Sequence, residues 1–130
     1  MEAESAQGGD RISTRSEVAL RAAAAVAALV AAALHVALAA ADLIPDEPTR
    51  GPVFALMGVG YLACAAAILA RRPLADGLVL LYTAGLVLAY ATSRGELPIE
   101  RIGLATKTAE TILGAITAFL LLRRTGSRAN

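Results

Sequence analysis

The sequence predicts an all-α integral membrane protein, an antiparallel up-down-up-down bundle of four transmembrane helices. Three observations predict it. Hydrophobic residues make up 57% of only 130 residues, and the mean hydropathy is positive, which is too apolar for a soluble domain of this size. The apolar residues fall into four long runs, each near the ~20 residues needed to cross ~30 Å of hydrocarbon. All five prolines, Pro45, Pro48, Pro52, Pro73 and Pro98, lie between runs or at the first turn of one, where a missing amide hydrogen costs nothing. Strands are not expected, because the runs are too long and show no sustained alternation.

In chain order, helices are expected over about 18–43, 52–71, 74–93 and 98–124, forming one transmembrane domain over 18–124. The first run, Val18 to Leu43, also resembles a secretory signal, since Arg11, Arg15 and Arg21 precede or enter it. It is longer than the ~7–15 residue core of such signals, so a span is the better reading. Arg71 and Arg72 close the second helix, and Arg123 and Arg124 close the fourth, where cations suit the negative end of the helix dipole. Asp76 suits the positive end of the third helix as a first-turn acid. Residues 1–17 and 125–130 are polar and are expected to be disordered cytoplasmic tails.

Counting arginines near the helix ends gives the expected orientation. One side collects Arg11, Arg15, Arg21, Arg71, Arg72, Arg123, Arg124 and Arg128. The other has Arg50, Arg94 and Arg101, alongside Asp46, Glu47, Glu96 and Glu100. The expected location is the cell (plasma) membrane, with several spans and both termini cytoplasmic.

Polar residues within the runs mark the candidate site. His35 lies eight residues before Leu43, Tyr61 eight after Val53 and Glu110 eight after Ile102, so each falls ~12 Å below the outer boundary. Lys107 is shallower and has a stem long enough to reach outward. Each helix places its polar group on a line of small residues: Arg21, Ala28, His35 and Asp42 in the first; Phe54, Gly58, Tyr61 and Ala65 in the second; Gly103, Lys107, Glu110, Gly114 and Thr117 in the fourth. Small residues let membrane helices approach closely, so these faces should pack against protein and gather His35, Tyr61, Lys107 and Glu110 into one buried polar cluster. A charge at the bilayer centre costs ~2.5–3.5 kcal/mol on insertion scales. Glu110, short and deep, must therefore take a proton or find a partner, with Lys107 and His35 in reach.

The chain has no glycine-rich phosphate loop, no paired-cysteine motif, no histidine pair at metal spacing, and no serine nucleophile beside a base, so neither an enzyme nor a bound cofactor is expected. Cys64 is the only cysteine and cannot form a disulfide within the chain. With a formal net charge of +1, no field draws nucleic acid. The expected partners are the lipid bilayer and either a second copy or another membrane protein. The leading expectation is a structural or partner-binding role for the cluster. A proton- or cation-coupled transporter acting as a dimer is the alternative. Haem or metal binding at a dimer interface through His35 is a further one. A through-membrane channel fits poorly, since mainly Tyr82, Thr83 and Thr117 carry polar atoms below the cluster.

The segments "ALHVAL", "FALMGVGYLACAAAIL" and "ELPIERIGLATKTAETIL" resemble small four-helix membrane proteins of haloarchaea and actinobacteria, whose function is unknown. The resemblance covers roughly Leu34 to Leu122 and implies a membrane location and four spans, with no activity and no site residues. Small multidrug-resistance transporters share the size and helix count, but they carry their functional glutamate in the first helix, where this chain has His35.

Overall fold

The computed structural model describes residues 2–41, 50–93 and 101–126, and all the regular elements among them are helical. The helices are α1 (Glu2–Ala41), α2 (Arg50–Leu69), α3 (Pro73–Ser93) and α4 (Arg101–Gly126). The expected bounds 52–71 and 74–93 stand beside Arg50–Leu69 for α2 and Pro73–Ser93 for α3. The expected outer ends at 42–43 and 98–100, and residues 127–130 of the C-terminal tail, lie outside the described residues.

The helix α1 begins at Glu2, within the stretch read from the sequence as a tail, and is continuous to Ala41. The chain has no proline before Pro45, so nothing covalent stops the helix from propagating backwards from its apolar segment. Glu17 and Arg21, one turn apart, form an ion pair at 3.0 Å across the expected boundary. At the other end, α4 continues through Thr125 and Gly126, two residues into the expected C-terminal tail.

Four segments are long and apolar enough to cross a membrane: Thr14–Ala41, Gly51–Leu69, Pro73–Thr92 and Arg101–Arg124. Their exteriors are apolar, with Leu56, Leu74, Leu81 and Leu122 each at least 70% exposed. Their interior holds the polar groups, since Arg21, His35, Asp76, Thr83, Thr106, Glu110 and Thr117 are all buried. This distribution is the reverse of what water selects and is what a hydrocarbon solvent tolerates.

Contacts at the two ends fix the topology. At one end Arg21 of α1 meets Ile68 at the close of α2 and Asp76 in the first turn of α3, while Arg124 at the close of α4 meets Glu17 of α1. At the other end His35 of α1 faces Phe54 near the start of α2, and Lys107 of α4 lies over Tyr90 near the close of α3. Successive helices are therefore antiparallel. The helix α1 packs most extensively, against α2 and α4, whereas α3 rests mainly on α4 and more lightly on α2.

The closeness of α1 to its neighbours follows from its alanines. Ala24, Ala25, Ala27, Ala28, Ala31 and Ala32 are buried and form the spine of the core, with Ile68, Val79 and Leu113 filling the space opposite. A β-carbon added at Gly58 of α2 would lie 3.2 Å from Val36 Cγ2 and 3.3 Å from the Ala32 carbonyl oxygen. A backbone oxygen cannot swing aside, so Gly58→Leu should force α1 and α2 apart and destabilise the fold by about 1–3 kcal/mol, read as a lower unfolding midpoint in detergent. Gly60 admits the Tyr82 hydroxyl instead, which donates to the Met57 carbonyl at 3.0 Å and ties α3 to α2. The reversal between α2 and α3 is short, and Arg71 turns it with a φ of 57°. Its amide donates back to the Ile68 carbonyl at 3.3 Å, closing the helix in the manner of a left-handed cap.

Candidate functional site

The four residues singled out in the sequence come together in one half of the bundle. His35, Tyr61 and Glu110 are at most 2% exposed, and Lys107 is partly buried. The His35 and Tyr61 rings lie 5.2 Å apart, and His35 Nε2 is 3.6 Å from Glu110 Oε1. Their equal counts from the helix ends thus correspond to a shared level, and the small-residue lines turn inward as their spacing requires.

Lys107 is not extended into solvent as its shallow position led one to expect. Its ammonium donates to Glu110 Oε2, three residues along the same helix, and lies 4.8 Å from the centre of the Tyr90 ring. The aromatic face offsets part of what the cation loses by leaving water. Glu110 is fully buried: Oε2 accepts from Lys107, whereas Oε1 has no hydrogen-bond partner among the described residues. The Tyr61 hydroxyl is likewise buried and without a hydrogen bond.

The environment of His35 settles which ring nitrogen carries a proton. Nδ1 is 2.8 Å from the Ala31 carbonyl oxygen, which can only accept, so Nδ1 is the donor. Nε2 therefore points at Glu110 with whatever protonation the pair adopts. The ring is buried beside the Phe54 and Tyr61 rings. Among the described residues no three His, Cys, Asp or Glu side chains group as metal ligands.

A second polar cluster, at the opposite end, went unrecognised in the sequence. Arg21 and Asp76 are 2% and 0% exposed and pair through two parallel bonds, Nη1 to Oδ1 at 3.0 Å and Nη2 to Oδ2 at 2.8 Å. Arg21 Nη1 also donates to the Ile68 carbonyl at 2.8 Å, and Nε donates to Glu17 at 3.0 Å. Arg124 approaches both acids at 3.4 Å and donates to the Arg71 carbonyl at 3.1 Å. Two arginines and two carboxylates thus form a neutral network that joins all four helices. Arg21 was expected among the charges that set orientation, and Asp76 only as a helix-dipole partner. The available signal was position: Arg21 lies 14 residues before His35 on the same heptad line and so had to face the same interior.

Thr83 and Thr117 lie between the clusters, and Thr106 sits one residue before Lys107 at the level of the first. The hydroxyls of Thr83, Thr106 and Thr117 each donate to the carbonyl one turn back, at 2.8 Å. Spent on their own helices, they provide no chain of polar atoms joining the two ends among the described residues.

The described residues are all-α, with four segments apolar enough to cross a membrane, leucines outside and charges inside, a combination compatible with a small multi-pass membrane protein. The chain belongs to a family of unknown function, DUF7475, which matches it over residues 7–121. No curated protein and no solved structure matches it.

Proposed function

We propose that the chain is a non-enzymatic, four-span protein of the cell membrane, with both termini cytoplasmic, whose cluster of His35, Tyr61, Lys107 and Glu110 organises the outer half of the bundle and the face offered to a partner. The observation that carries this is the complete burial of Glu110 inside a bundle whose exterior is apolar. A carboxylate in that place is tolerated only if its partners hold it, so it specifies how α4 meets α1. The orientation rests on the arginine asymmetry, which persists after the buried Arg21 is removed from the count. Glu110→Gln and His35→Ala should each lower stability by about 1–3 kcal/mol and broaden the assembly profile, measured by thermal unfolding and size exclusion in detergent. Unchanged midpoints and profiles would sink a structural cluster.

A second reading, proton- or cation-coupled transport by a dimer, is favoured by one observation: Glu110 Oε1 and the Tyr61 hydroxyl are buried without hydrogen-bond partners. Flux in proteoliposomes that responds to a pH or cation gradient, and is lost in Glu110→Gln, is the expected result of that reading. Gradient-independent behaviour removes it.

A further inference from the structure

At the end of the bundle that holds the forked ion pair, one set of charges is left uncompensated. Arg21 and Arg124 are matched by Glu17 and Asp76, so that group is neutral. Arg15, Arg71, Arg72 and Arg123 stand at the same end, all exposed, and no third carboxylate lies there among the described side chains. The fold draws these cations together. Arg124 Nη2 donates to the Arg71 carbonyl at 3.1 Å, which seats the close of α4 beside the turn between α2 and α3. Arg123 Nη1 donates to the Ser16 hydroxyl of α1 at 3.4 Å. Pro73 opens α3 directly after Arg72, so the positive end of that helix dipole adds to the same field.

What borders the cations identifies the anion. Leu69 and Leu74 flank the turn at 62% and 76% exposure, and Leu122, next to Arg123, is 70% exposed. The Arg123 guanidinium lies 5.3 Å from the centre of the exposed Phe119 ring, one turn back on α4. Guanidinium at the edge with apolar side chains directly beneath it matches the division within a phospholipid, a charged head over acyl chains. Inorganic phosphate has no use for the apolar border. We propose that the end of the bundle formed by Arg71, Arg72 and Arg123 is a binding surface for the headgroups of anionic phospholipids, with the neighbouring leucines against their acyl chains. This rests on the reading that the four segments span a membrane. The neutral network beneath positions the patch and adds no net charge of its own. Each arginine near an anionic surface raises binding about five-fold, so three give a preference on the order of 100-fold over a lipid of zero net charge. Because the side chains are exposed, that preference falls as salt rises.

The test adds phosphatidylglycerol, which is anionic, or phosphatidylcholine, which has no net charge, to the full chain in detergent and counts bound lipid by native mass measurement. The unaltered chain should favour phosphatidylglycerol on the order of 100-fold at low salt. An Arg71→Asn, Arg72→Gln double variant should reduce that preference to about five-fold. Asparagine tolerates the φ of 57° at Arg71, so the turn and its carbonyl are kept. Arg123→Gln, which leaves the turn untouched, should cost about five-fold by itself and serves if the double variant does not fold. Arg101→Gln, at the opposite end of α4, should match the unaltered chain. Equal binding of the two lipids overturns the proposal, as does a preference that survives both variants or falls equally in Arg101→Gln. Displacement of the bound lipid by millimolar inorganic phosphate would assign the patch to the free anion and overturn it too. Reconstitution into vesicles of each lipid separates the two readings. A chain that enters neither removes the spans and this surface together, whereas one that enters both and binds them equally removes the surface alone.

Discussion

Asp76→Ala should be the most damaging single substitution in this chain, costing about 3–5 kcal/mol. It removes both acceptors of the forked Arg21 pair and leaves a guanidinium buried at 2% exposure, with only Glu17 and the Ile68 carbonyl to bond. Arg124 also loses one of its two carboxylates. The loss should appear as a large drop in the thermal or denaturant midpoint in detergent, since Asp76 is the residue through which α3 bonds α1. Taking both charges away tests the cause. An Arg21→Met, Asp76→Leu double variant should recover most of the loss, because two apolar side chains of similar volume require no desolvation of charge. A double variant as unstable as Asp76→Ala would show that the network contributes through geometry alone.

Tyr61 should separate packing from polarity at a single position. Tyr61→Ala removes a fully buried ring that meets His35 at 5.2 Å and Tyr82 at 5.2 Å, and should cost about 3–5 kcal/mol through the transfer loss and the cavity left behind. Tyr61→Phe removes only a hydroxyl that has no hydrogen-bond partner, and should lie within about 1 kcal/mol of the unaltered protein. The same unfolding midpoints measure both. A large cost for the phenylalanine variant would mean that the hydroxyl bonds a group in the membrane-embedded protein.

Much of the fold was legible in the sequence because the controlling variables are one-dimensional. Run length fixed the number of helices, and proline placed their breaks. The lines of small residues through Ala28 and His35, through Gly58 and Tyr61, and through Glu110 and Gly114 indicated which faces turn inward. The gathering of His35, Tyr61, Lys107 and Glu110 was legible for the same reason, since depth along a helix is proportional to residue count. The beginning of α1 was not. Polarity marks where a helix leaves the core, whereas propagation through residues 2–17, across the Gly8–Gly9 pair, depends on the absence of proline and on support from the helix already formed.

What the sequence determined alone was the helical class, the spans apolar enough to cross a membrane, and the level at which the acid and the histidine meet. Tertiary structure decided which charges pair. Arg21 and Asp76 are 55 residues apart, and nothing along the chain joins them. Only the antiparallel return of α2 into α3 brings the first turn of α3 against α1, where the forked geometry forms. Lys107 is likewise held in place by the Tyr90 ring of a different helix and by a carboxylate that cannot reach water. Hydrophobic patterning is a sum over local residues and is written in sequence. Charge compensation in a medium without water depends on distances across the bundle, and those exist only after the helices have packed.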